Sequence, residues 1–456
     1  MRIGMKHNQK GFTLVELMIT MAVFLIVMVM AGNIFSTLLG QFKQQSRIAE
    51  SNIEGNIGLQ ILRRDIEQAG YGLPWDLNGA TYTEAGQITI PNPTPWTDRW
   101  LNDGPPYDTV ANGQPTRGAD ANTGTSANPP GAIRSGNAYN GGTKGMPPGC
   151  STNPANANHC SDVLVLKAVN IGINDTVQKW TYVYNTGGST NIPGPMPTLA
   201  AEQFDLDERV IIIRPDLGNA QRLLMTDLAG HFYTHFKTSG AYPTKVYDMA
   251  TFRDDTSVAT NSELLPEADS LMTHIIYGIS PSTTNPRMPF NRADYYVRRP
   301  DTGMPSKCEL STGILYKAVL SNNSDSSIDD TSTPVHGSKV TSELPLLDCV
   351  ADMQLVFGLD LDGNGTSEAS TDDLNTLTAE EIRNQLREVR VYIIAHEGSL
   401  DTTYTYTNPN PVTGCTGADK VCINDVGFGL IKAFTVPNRN YRWKLYTMIT
   451  TPSNVR

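Results

Sequence analysis

Short motifs of enzyme chemistry are absent from this sequence. No Gly-Lys dipeptide occurs, which removes a Walker A loop, and neither Gly-x-Ser-x-Gly nor His-Glu-x-x-His is found. No Lys/Arg cluster stands out beyond short pairs such as Arg298-Arg299, and the formal charge is −11. Nucleic acid needs phosphate-neutralising cations, so that class of partner is not expected. Six cysteines are present but none in Cys-x-x-Cys spacing, and no histidine cluster accompanies them, which leaves little for a zinc site. His231 and His235 are four apart, yet Phe232, Tyr233, Thr234 and Phe236 around them read as strand. The pairs Asp254-Asp255 and Asp329-Asp330 sit in polar stretches and read as solvated loop. No period repeats along the strand-like runs, which excludes a solenoid. An enzyme is therefore not expected.

What is present is concentrated at the N-terminus. Arg2, Lys6, His7 and Lys10 form a short basic leader that stops at Gly11, and an apolar helix begins at once with Phe12. In a secretory signal the apolar region precedes the cleavage site and is discarded with it. Here the small residue comes first, so cleavage after Gly11 would leave the helix on the mature chain. Across residues 17–39 only Thr20, Gly32, Asn33, Ser36 and Thr37 interrupt the apolar character and no residue is charged, a length that spans a bilayer. Glu16 stands in the first turn. A carboxylate in a spanning helix costs about 2.5–3.5 kcal/mol on insertion scales, so a partner is expected for it. Beyond the span Ala49, Ile53, Ile57 and Ile61 recur every fourth residue and Leu62, Ile66 and Ala69 continue the stripe, with Gln44, Arg47, Glu50, Glu54, Arg63 and Arg64 largely between them. One long helix is predicted to run from membrane to globular region and to stop at Gly70-Tyr71-Gly72-Leu73-Pro74. Gly32, Gly40, Gly55 and Gly58 each weaken it by up to about 1 kcal/mol relative to alanine, which predicts local melting.

Roughly 380 residues follow, enough for one large or two modest domains. Residues 91–161 are dominated by Gly, Asn, Pro, Thr and Ala, with apolar residues too sparse for a regular element, and read as a long loop insertion. Short strand-like runs then take over at 163–169, 180–184, 210–213, 222–225, 231–236, 271–279, 295–298 and 314–319, separated by turn signals as in an antiparallel sheet. A second block opens near Leu346. It holds a strand over 350–361, a capping box at Thr378-Ala379-Glu380-Glu381 and a strand over 389–395 that is apolar on both faces. A closing strand alternates Trp443, Leu445, Thr447 and Ile449 with Arg442, Lys444, Tyr446 and Met448. The expected fold is α+β. A leader (1–11) precedes a long N-terminal α-helix, membrane-spanning over 12–40 and amphipathic over 41–74, packed on a large antiparallel β-rich head. The head divides into 75–345, with the 91–161 insertion, and a C-terminal part, 346–456.

The cysteines fall into three local pairs: Cys150 with Cys160, Cys308 with Cys349, and Cys415 with Cys422. In an exported chain an even count suggests disulfides, and other connectivities stay open. One loop carries candidate metal ligands. Asp360, Asp362, Asn364 and Glu368 occupy the first, third, fifth and ninth positions of an EF-hand-like loop, with the Thr366 carbonyl at the seventh. The twelfth position is Thr371 rather than glutamate, and Asp-Gly and Asn-Gly are hairpin signals in their own right. A structural Ca2+ site and a bare turn are both open.

Gly11-Phe12-Thr13-Leu14-Val15-Glu16 resembles the class III signal of type IV prepilins and pseudopilins. The resemblance implies cleavage after Gly11 by a membrane prepilin peptidase, N-methylation at Phe12, and packing of the helix into a filament core. It also implies that Glu16 is answered by the terminal amine of a neighbouring subunit. Cleavage would remove Arg2, Lys6 and Lys10, leaving 32 basic against 46 acidic side chains, a balance of −14. The proline that many major pilins carry inside this helix is absent, with Asn33 in its neighbourhood.

Further along, Leu62-Arg63-Arg64-Asp65-Ile66-Glu67-Gln68-Ala69-Gly70-Tyr71-Gly72, Phe357-Gly358-Leu359-Asp360, Val389-Arg390-Val391-Tyr392-Ile393 and Tyr441-Arg442-Trp443 look like PilW-type minor pilins. That likeness implies a low-abundance subunit that helps nucleate a type IV pilus, in a tip complex with other minor pilins and a large adhesin-like partner, supporting adhesion or motility. The J-type pseudopilin of type II secretion shares the architecture, and a calcium-dependent tip adhesin is a further alternative. Before assembly the chain is expected in the inner membrane as a single-pass protein, its leader cytoplasmic and residues 40–456 periplasmic by the positive-inside rule. After assembly it would lie in the pilus at the cell surface.

Overall fold

The computed structural model describes residues 13–83, 107–110, 114–117, 123–124, 129–136, 161–187, 191–216, 221–226, 230–241, 243–247, 264–267, 272–298, 300, 303–323, 340–374, 377–428 and 430–455. Gly11, Phe12, the pair Cys150 and Cys160, and most of the 91–161 insertion lie outside them. The chain divides into two compact units, 1–53 and 54–456. The division falls within the amphipathic section of the helix.

Helix α1 runs unbroken over Leu14–Gln68. In the first unit every described apolar side chain from Leu14 to Leu39 is exposed, as the sequence of a spanning segment requires. All four glycines expected to loosen the helix lie within it.

The second unit is built on one sheet whose seven main strands follow chain order. They are β1 (Ile133–Gly136), β2 (Val163–Ala168), β3 (Asn291–Arg298), β4 (Gly313–Leu320), β5 (Val340–Leu359), β6 (Leu386–Glu397) and β7 (Arg442–Thr450), each antiparallel to the next. Ala369–Thr371 adds an eighth strand on the end of β5. Chain between β2 and β3 makes a second antiparallel sheet in the order Gln221–Leu224, Arg209–Asp216, Thr273–Ser280, Trp180–Asn185, Asn191–Pro193. Chain between β6 and β7 makes a hairpin of Lys420–Asp425 with Leu430–Thr435.

Four expectations need correction. The boundary at 345/346 falls inside β5, so the two blocks of the head share a sheet. The insertion read as loop contributes β1 and the short strands Tyr107–Val110, Gln114–Arg117 and Thr123–Gly124, because Ile133 finds a fully buried place against β2. The strand expected over 231–236 shortens to Thr234–His235. The apolar stripe of the helix is also displaced: Ile53 and Ile57 are 61% and 60% exposed, while Gly55, Gly58, Leu62, Asp65, Ile66 and Ala69 are buried.

Backbone proximity explains that displacement. A Cβ on Gly58 would stand 1.9 Å from the Leu346 carbonyl oxygen, and one on Gly55 2.8 Å from Leu347 Cδ1. Glycine lets α1 lie directly on β5, and Leu62 and Ile66 then bury completely in the main core with Leu355, Phe357, Val391 and Ile393. Each such side chain contributes about 1.5–3 kcal/mol. The helix stops at Gly70, whose φ of +83° and 2.7 Å clearance between a notional Cβ and Asn454 O admit no side chain. Strand β6 is apolar on both faces for a reason the fold makes plain. Val389, Val391, Ile393 and Ala395 face the main core, whereas Tyr392 and Ile394 meet Val421, Ile423 and Phe434 of the hairpin. The predicted capping box is present before α2 (Ala379–Gln385): Glu381 N–H donates to Thr378 Oγ1, and Thr378 N–H donates to Glu381 Oε2.

Candidate functional site

The start of α1 is organised by Thr13 and Glu16. Thr13 N–H and Oγ1 donate to Glu16 Oε2 at 3.0 and 3.1 Å, and Glu16 N–H donates to Thr13 Oγ1 at 3.3 Å. This is a capping box, in which a side chain at each end satisfies a helix-terminal N–H that has no partner within the helix. The Thr-x-x-Glu spacing signals it in the sequence. Sequence reasoning gave Glu16 only an intersubunit partner, and the structure adds this local one. Behind it, Leu14–Gly40 is long and apolar enough to cross a membrane, by length and composition.

At the other end of α1 a buried carboxylate fixes the helix to the sheet. The Tyr295 hydroxyl and the Lys317 ammonium both donate to Asp65 Oδ2. Burial first, and the Asp65 charge second, hold the Tyr295 hydroxyl well above its ordinary value, so it stays a donor. These residues were not singled out from the sequence, since Tyr295 lies 230 positions and Lys317 252 positions from Asp65.

Two of the expected disulfides fall on described residues, and both are formed: Cys308 to Cys349, and Cys415 to Cys422. The first ties the loop before β4 to a bulged stretch of β5, where Cys349 takes a φ of +57°. The second lies before and within the 420–435 hairpin.

The candidate cation loop is the tip of a hairpin between β5 and Ala369–Thr371. Oxygens of Asp360, Asp362 and Glu368 all lie within 4.8 Å of one another, a donor set suited to a hard cation. The same atoms also serve the turn. Asp360 is buried and accepts from the N–H groups of Gly363, Asn364 and Gly365, and from Arg387 at 2.7 Å. Burial raises its carboxyl, but those bonds outweigh burial and leave it below the ordinary value. Asp362 and Asn364 each accept from the N–H two residues on, and Glu368 accepts from Leu361 N–H and Thr366 Oγ1. Thr371, the twelfth position, is paired with Phe357 in the sheet. The loop therefore brings three carboxylates together with a guanidinium already against one of them.

Comparison with known proteins bears on the N-terminus alone. Residues 6–32 match the family model described as the prokaryotic N-terminal methylation motif. No curated protein and no solved structure matches the chain. The motif supports a type IV pilin-like or pseudopilin protein, implying processing by a prepilin peptidase and association with pilin assembly machinery, and the apolar helix is consistent with membrane anchoring. A matched methylation motif that runs directly into an exposed apolar helix, followed by a large antiparallel β-rich region, fits a class III signal prepilin or pseudopilin.

Proposed function

We propose that the chain is a minor pilin that primes a type IV pilus or sits in its tip, with its helix in the filament core and its head outermost. The carrying observation is the methylation motif at residues 6–32 continuing into the 27-residue apolar stretch Leu14–Gly40. A helix whose apolar surface is wholly exposed needs lipid before assembly and sibling helices after it. In this reading the head waits in the periplasm of a single-pass inner-membrane protein, and the partners are other pilins and a large tip adhesin. Deletion of the gene tests it: loss of surface pili is expected. Normal pili with defective secretion would replace this reading by the J-type pseudopilin, and normal pili with lost attachment by a pure adhesin.

A second reading concerns the 360–368 loop, supported by the convergence of Asp360, Asp362 and Glu368. We propose that it takes Ca2+ weakly, in the millimolar range of extracellular modules, because Arg387 already supplies one positive charge. Calorimetry on the detergent-solubilised full chain should show heat at millimolar Ca2+ that disappears in Asp362→Ala. A flat isotherm for the unaltered chain rejects the site.

A further inference from the structure

A second cluster of amine, carboxamide and carboxyl lies where the 420–435 hairpin covers β5. Asp352 and Gln354 are two residues apart on β5 and so project from one face of the sheet. Lys432, on the hairpin strand Leu430–Thr435, places Nζ 2.5 Å from Gln354 Oε1. Gln354 Nε2 in turn donates to Asp352 Oδ1 at 2.8 Å. Asp352 is 1% exposed and Gln354 6%, and Ala351, Val356, Tyr392 and Phe434 belong to the apolar cluster on this face. Ser161 Oγ also donates to Asp352 Oδ1, while Asp352 Oδ2 is buried without a hydrogen-bond partner. Burial pushes the Asp352 carboxyl up from its ordinary value, although Lys432 and the donors around it act in the opposite direction. A carboxyl with one oxygen free and the other on the carboxamide nitrogen can move protons between an attacking and a departing nitrogen.

We propose that Lys432 and Gln354 join in an intramolecular isopeptide bond, with Asp352 as the proton relay. Nζ, as the free amine, attacks Gln354 Cδ, and an Nζ–Cδ bond forms. Asp352 takes up the proton that Nζ sheds and gives one to Nε2. The Cδ–Nε2 bond breaks and ammonia leaves, so amine plus carboxamide become amide plus ammonia and Asp352 ends in its starting state. No oxidant or cofactor enters. The fold supplies the effective concentration by holding the two strands together, and the apolar surroundings keep water from competing as nucleophile or reversing the step. The product would be a covalent tie between the hairpin and strand β5 of the main sheet.

Mass spectrometry of the full chain, purified in detergent and reduced, tests this. The intact mass should be lower by one ammonia than the processed sequence requires, and digestion should yield a branched peptide linking the segments that contain Gln354 and Lys432. Lys432→Arg keeps the charge and a donor to Gln354 but removes the amine, and should give the full mass and two linear peptides. Asp352→Asn should do the same while keeping a hydrogen-bonding side chain in place. Linear peptides with unmodified Gln354 and Lys432 in the unaltered chain overturn the proposal. So does a mass deficit that maps to an Asn-Gly succinimide instead. A branched peptide that persists in Asp352→Asn removes the relay.

Discussion

Gly58 and Gly40 are the same residue in the same helix, yet replacement by alanine should act on them in opposite directions. Nothing lies within 4 Å of a Cβ at Gly40, whereas one at Gly58 meets Leu346 O at 1.9 Å. Gly40→Ala should be neutral or stabilising by up to about 1 kcal/mol through helix propensity. Gly58→Ala should lower the thermal midpoint of the solubilised chain, at a cost of about 1–3 kcal/mol as the helix is pushed off β5. His396 provides a pH signature of its own. It is buried on β6, accepts from Glu309 N–H at 2.9 Å and packs on Tyr441 with ring centroids 4.3 Å apart. Burial first, and Lys307 second, lower its pKa from 6.5 to about 3. Below pH 6.5 the unfolded chain takes a proton that the folded chain refuses, so stability present at neutral pH is lost as pH falls toward 3. By pH 5 the loss should be about 2 kcal/mol. The slope of thermal midpoint against pH should flatten in His396→Gln; an unchanged slope would assign the acid sensitivity to other groups. At this scale the sequence disclosed the Thr13-Glu16 spacing and the Asp360 turn, both local. It could not disclose Asp65, whose partners are set by the fold.

Strands with a plain pattern were legible as elements: β2, β4, β6 and β7 emerge from alternating or continuous apolar residues close to their observed bounds. Others were hidden for identifiable reasons. In β1, Ile133 is followed by Arg134 and Ser135, both buried, and Arg134 donates to the Leu377 carbonyl at 2.8 Å. Polar residues satisfied inside a core imitate a loop in the sequence. The extension of β5 back to Val340 passes through Pro345 and a register shift near Cys349, each of which reads as a break. Joining elements gives the clearest tests. Asp65→Ala should leave Lys317 and the Tyr295 hydroxyl without their shared acceptor and destabilise the second unit by about 3–5 kcal/mol, visible as a lower denaturant midpoint. Paired replacement, Asp65→Leu with Lys317→Met, should recover most of that loss, because it removes the uncompensated charge.

For the whole molecule the N-terminal motif carries the testable chemistry. Gly11→Leu should block processing and leave a slower band on a denaturing gel, since the small residue before the apolar segment is what the peptidase is proposed to require. A product of normal size would contradict the cleavage position. Glu16→Ala should still be processed yet enter filaments poorly, and its helix should also fray at the first turn, because Thr13 loses the carboxylate that accepts from its N–H. Comparing shed pili with membranes by immunoblot separates assembly from processing. The ordering of β1 to β7 along the chain bears on how this protein can be shortened. The outer edge of the main sheet comes from within the 91–161 insertion, so excising that whole segment as an ornamental appendage would strip the sheet of its margin and bare Leu164 and Leu166 beside it. A minimised version has to keep the run 129–136, which seals this border.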